Sequence, residues 1–238
     1  METNKNTRSQ SVGFRYIKYA VGEIILVVIG ILIALQINNW NENRNKQKEL
    51  LYIYQSIQSD LEIDLANIDS LLSKSDMKKL NFEAVLNNNI TRTDYETKPD
   101  LQWILSGFPD MSLLDNGYKL LSNFSEIESI TDKSFVKSIN KFYSYYKTEI
   151  QVDQKSLALI FNNRDIYWTQ EYDWYSDFLM KKPSSEFIEY ALYNSEYKNQ
   201  VANFYLVYHK IYIPHLLAYK KDAKRIIAQI EEKTQNQI

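Results

Sequence analysis

Apolar residues gather most densely at positions 24–35, within the stretch KYAVGEIILVVIGILIALQINNWNE. Twelve apolar residues alone fit a signal-peptide core or a buried soluble helix as well as a bilayer span. The flanks favour the span. From Tyr19 to Trp40 a helix rises roughly 31 Å, close to the thickness of a hydrocarbon core. Tyr16 and Tyr19 at one end and Trp40 at the other stand where an interfacial aromatic belt stands. No small residues at alternating positions offer a cleavage site after the run. An uncleaved signal-anchor over residues 17–41 is therefore expected, after a short tail at 1–16.

Downstream, the period becomes that of an amphipathic helix. Leu50, Tyr54, Ile57, Leu61, Leu65, Ile68 and Leu72 recur at spacings of 4-3-4-4-3-4. Such a stripe is a coiled-coil seam or a face packed on the rest of a domain, and the later helices, which need a partner, favour the domain. Asp60 and Asp64 flank the stripe at i, i+4 and read as a solvated face. No Gly or Pro stands between Gly30 and Pro99, so the helix is expected to run on from the span. Residues 77–90 read as a second, weaker helix, 87–100 as a polar loop, and SGFPDMSLLDNGYKLLSN as short helices and turns. Thr131 or Asp132 is placed to cap a helix striped by Phe135, Ile139, Phe142, Tyr146 and Ile150, running to about Asn163. DIYWTQEYDWYSDFLMKKP follows and Pro183 ends it. Ser184 or Ser185 caps a short helix to about Asn194. The last helix carries Val201, Phe204, Tyr208, Ile211, Leu216, Tyr219, Ile226 and Ile230, with a kink expected at Pro214. The expected fold is all-α: an N-terminal transmembrane helix running into a long-helix bundle over residues 42–238.

Composition narrows the chemistry. Five Gly and four Pro in 238 residues suit long helices with short connections. A net charge of −2 with interspersed signs leaves no electrostatic footprint for nucleic acid. Zero Cys removes disulfides, thiolate metal sites and thiol catalysis. His209 and His215, six apart, fall on different helix faces, and nothing in the sequence sets either beside an acid. No phosphate loop, G-x-S-x-G or H-E-x-x-H motif occurs, so no catalytic residue, metal site or cofactor is assigned.

Two places hold candidate sites. Glu23 is an ionisable group inside the nominal span, roughly 7.5 Å from its centre. It either contacts a partner helix or reaches for the headgroups beside Lys18 and Tyr19. The run YWTQEYDWY, residues 167–175, sets aromatics beside carboxylates, as a ligand or partner surface does: Trp168, Glu171, Tyr172, Asp173 and Tyr175. At helical spacing Trp168, Tyr172 and Tyr175 also form one face, the pattern of a core.

Sidedness follows from basic residues: Lys5, Arg8, Arg15 and Lys18 precede the span, while Arg44, Lys46 and Lys48 follow it. That bias and the short tail put residues 42–238 outside the inner membrane, on the periplasmic side. GEIILVVIGILIALQINNWNE, residues 22–42, resembles the N-terminal signature of a large bacterial family of uncharacterised, single-span membrane proteins. LLDNGYKLLSNFSEIESITDKSFVKSINKFYSYY, residues 113–146, resembles that family's second shared block, in which a Ser-Gly or Asn-Gly turn and an L-I pair precede a helix ending in paired aromatics. The resemblance implies an anchor followed by a helical extracytoplasmic domain, and carries over no activity. Three functions compete. One is a scaffold or interaction module of the cell envelope, with the bilayer, a membrane protein or a second copy as partner. Another is a subunit of an energised complex using Glu23. The last is a hydrolase or ligand-binding sensor with its pocket at residues 167–175.

Overall fold

Helix is what this chain builds throughout the computed structural model, which describes residues 7–124, 133–182 and 184–235, with side chains from Tyr16 onward. No strand occurs among the described residues, and the fold is all-α. The first helix, α1 (Thr7–Leu86), runs unbroken through the apolar segment and the Leu50–Leu72 stripe. Residues 77–86 continue α1 rather than forming a second helix, because nothing before Asn88 breaks the hydrogen-bond ladder. There the backbone turns left-handed at φ 56°. Asn89 N–H donates to Ala84 O (2.9 Å) and Asn88 N–H to Val85 O (3.2 Å), the paired closure that satisfies a helix's last carbonyls.

The polar stretch 87–100 is not a plain loop. It holds α2 (Arg92–Thr97) and the start of α3 (Pro99–Gln102). Thr91 accepts from the Asp94 N–H through its hydroxyl, and Asp94 accepts the Thr91 N–H at 2.9 Å, a reciprocal cap. The cap fixes a helix short enough to need it, and the helix buries Tyr95 completely. Thr91→Ala should therefore cost about 1 kcal/mol in urea unfolding. An unchanged midpoint would mean that Tyr95 alone holds the segment.

Next come α4 (Asn116–Asn123) and α5 (Lys133–Glu171), the latter running well past Asn163. Its expected caps, Thr131 and Asp132, lie outside the described residues, as does Pro183. All five stripe residues of α5, Phe135, Ile139, Phe142, Tyr146 and Ile150, are buried. After α6 (Tyr175–Leu179), Ser184 caps α7 (Ser185–Tyr193) by accepting the Phe187 N–H at 3.1 Å. Asn194 then caps α8 (Ser195–Tyr205).

A π-helical segment, Leu206–Tyr212, leads into α9 (Ile213–Gln235). Pro214 thus enters just after a widened turn, which accommodates a ring that a regular ladder would reject. The wider turn also rotates the stripe. Ile211, expected inside, is exposed, and Tyr212 takes the buried position. The chain separates into two compact units, Met1–Tyr52 and Ile53–Ile238. In the second, α5 packs against α8, the π segment and α9.

Candidate functional site

Among the described residues one helix, Tyr16–Leu86, is long and apolar enough to cross a membrane, and its apolar window lies in the first unit. No side chain from Tyr16 to Glu49 is buried, and Glu23 is exposed with the rest. Beyond the apolar run, Arg44 lies over the Trp40 ring at 5.7 Å and Lys46 pairs with Glu42 at 2.7 Å.

In the second unit the most consequential correction concerns Asp60 and Asp64. They are not on a solvated face: Asp60 is 6% exposed and Asp64 0%. What buries them is the turn at residues 114–117, whose backbone donors they satisfy. Asp64 accepts the Leu114 N–H on both oxygens at 3.2 Å, and the Tyr219 hydroxyl donates to it at 2.5 Å. Asp60 accepts the Gly117 N–H at 2.8 Å and the Asn116 amide at 3.2 Å. Burial outweighs those donors at Asp64 and, with Asp60 alongside, pushes its carboxyl up to about 6. Gly117 is what lets the turn approach: a Cβ there would stand 2.3 Å from the Ile57 backbone nitrogen. The two aspartates thus fasten the turn and α9 to α1.

The aromatic run 167–175 is divided by the fold. Trp168 and Tyr175 are buried, Tyr172 is half-buried, and Glu171 and Asp173 are exposed. Because α5 ends at Glu171, Tyr175 reaches the cluster from α6 rather than from the face of one helix. Trp168 packs edge-on against Trp174, Tyr175, Phe178 and Phe187, and its indole N–H donates to the Tyr190 hydroxyl at 3.2 Å. Tyr172 and Trp174 border a shallow depression with Tyr190 and Tyr193. The carboxylates and the buried indole do not share a cavity.

Both histidines are placed in ways the sequence left unseen. His215 Nδ1 stands 2.6 Å from Asp153 Oδ2, so one histidine does meet an acid. His209 is buried edge-on to Phe82 and Tyr208 at ring distances of 5.4 and 4.7 Å. Its Nε2 meets no partner among the described residues. Burial first, and then the charges of Lys78 and Lys79, hold its imidazole down at about 4. Among the described residues no group of three or more metal-ligating side chains converges.

The model of a family of unknown function, DUF6090, matches residues 23–152, more than half of the chain. The chain belongs to DUF6090. Its matched span begins at Glu23 and takes in the apolar run, both aspartates and the turn that they hold. The 167–175 run and the helices after it lie beyond the span. No curated protein and no solved structure matches this DUF6090 chain.

Proposed function

We propose that this DUF6090 protein is a membrane-anchored interaction or scaffold module of a bacterial cell envelope. Residues 17–41 span the inner membrane, the tail at 1–16 is cytoplasmic, and the helical unit stands on the periplasmic side. The observation that carries the reading is the apolar window with none of its side chains buried, next to a unit with its own core. In water such a window has no reason to persist uncovered; in hydrocarbon it is satisfied. Trp40 with Arg44 over it, and the Glu42–Lys46 pair, suit the interface that follows a span.

Membranes from cells making the full chain should retain it through an alkaline wash, and its intact mass should match the complete sequence. Release by the wash, or loss of the residues up to Leu35, would overturn the anchor. An alkaline phosphatase fused after Ile238 should be active, since that enzyme folds only outside the cytoplasm.

Within this reading Glu23 either contacts a partner helix or, as we expect, reaches the headgroup side beside Lys18 and Tyr19. Glu23→Leu should leave every co-purifying protein recovered in full in mild detergent, and insertion at least as efficient. A partner lost from the variant would assign Glu23 to that contact, at about 1–2 kcal/mol of assembly.

A further inference from the structure

Between α5 and α8 the helical unit holds a groove of about 380 Å³. Arg164 lines it with a side chain only 5% exposed, lying against the rings of Phe161 and Trp168 at 4.4 and 4.8 Å. Its Nη1 donates to the Leu105 carbonyl, and Nε and Nη2 donate to Asp165 Oδ1 at 3.2 and 2.5 Å. A guanidinium has five N–H groups, so two remain unengaged among the described residues. Gln200, from α8, lines the same groove with an enclosed Oε1 that meets no donor among the described residues. Glu196 accepts the Tyr167 hydroxyl at 2.6 Å on one carboxylate oxygen, leaving the other open. Leu105, Leu159 and Phe204 add apolar wall.

These leftovers are complementary in kind. Arg164, already paired with Asp165, has two N–H groups to spare, Gln200 lacks a donor, and Glu196 is half used. A simple anion would answer the spare N–H groups of Arg164 but meet repulsion from Glu196 and from Asp165, already on the guanidinium, and a simple amine would satisfy Glu196 and leave those N–H groups unanswered. A molecule carrying a carboxylate and an ammonium on one carbon answers all three. We propose that this groove binds a free α-amino acid with an apolar side chain. The carboxylate receives the spare N–H groups of Arg164, the ammonium donates to the open oxygen of Glu196 and, once the Gln200 amide turns toward the groove, to its Oε1, and the side chain lies along Leu159 and Phe204. The volume fits a small ligand, near the lower end of common ligand cavities. Enclosed polar groups left unpaired without the ligand supply the selectivity.

Full-length protein in detergent micelles, titrated calorimetrically with each of the twenty amino acids up to about 10 mM, tests this. Binding is expected for one or more of leucine, isoleucine, valine, methionine and phenylalanine. Gln200→Met and Glu196→Gln should each weaken it by about tenfold or more while keeping the wild-type helical spectrum. N-acetyl-leucine and leucinamide, each lacking one of the two charges, should bind about tenfold more weakly than leucine or not at all. Because these analogues probe the same contacts on wild-type protein, a variant that fails to fold does not leave the matter open. No heat with any amino acid, an analogue binding as tightly as leucine, or preference for glutamate or lysine would each overturn the assignment.

Discussion

Gly117→Ala should cost about 5 kcal/mol and lower the cooperative helical melt of the full chain far more than any other glycine change. The added Cβ would stand 2.3 Å from Ile57 N, 2.7 Å from Ile57 Cα and 2.7 Å from the Ser56 carbonyl carbon. All three are backbone atoms of α1, so no rotamer change relieves the contact and the turn must lift. Lifting it draws the Gly117 N–H away from Asp60, which sits at 6% exposure and loses a charge-assisted partner with no water to replace it. Overpacking of about 1–3 kcal/mol and a stranded buried carboxylate of similar cost act together here, since one displacement causes both. Gly30→Ala is the internal control, because nothing lies within 4 Å of its would-be Cβ. A Gly117→Ala protein that melts within a degree or two of wild type would show that α4 and α1 have slack.

The same turn shows how far the sequence could be read. Of the stripe read from the helical period, Ile57, Leu61 and Ile68 are buried, but Leu65 and Leu72 are only half-buried and Leu71, outside the stripe, completes the buried face. Asp64 falls on that face too, at 4-3-4-3 spacing, but polarity argues it outward. Only donors from Leu114 and Tyr219, 50 and 155 residues away, make it an interior residue. Nothing local to α1 announces them. The Asn-Gly pair of LLDNGYKLL was the nearest available signal: it marked a turn, not a turn pressed against another backbone. Thr91 and Asp94 stand at capping-box spacing, a local signal that the reading of 87–100 as a polar loop passes over. Along the last helix, apolar positions at 204, 208, 212 and 216 step by four throughout, a drift that a widened turn absorbs and a regular helix does not. Of the candidate ligand chemistry, the aromatics of the 167–175 run were visible. The groove next to them was not, because Arg164 and Gln200 come together only when α5 meets α8.

Stability against pH should separate two buried groups that oppose each other in the wild type. Asp64 has its carboxyl raised from 3.8 to about 6, chiefly by burial. The unfolded chain ionises first, so the cost of keeping Asp64 in the fold is absent below 3.8, grows upward, and is complete above about 6. His209 is lowered from 6.5 to about 4, again chiefly by burial. The unfolded chain is protonated first, so its cost is absent above 6.5 and complete below about 4. Going from about pH 7.5 to about pH 5, relief at Asp64 gains roughly 1–1.5 kcal/mol and His209 loses roughly 2 kcal/mol. The wild type should therefore look nearly flat. Asp64→Asn should expose the histidine, with urea midpoints falling toward acid. His209→Phe, which keeps a ring against Phe82 and Tyr208, should expose the aspartate, with midpoints rising toward acid. Other shifted groups act outside this window. The lowered carboxyls of Asp94, Asp115 and Glu42 act below about 4.5, and Lys78, pulled down to about 8 mainly by burial, acts above it. Two variants sloping the same way would mean that one of these side chains reaches water in the folded protein, and the sign of the shared slope would say which.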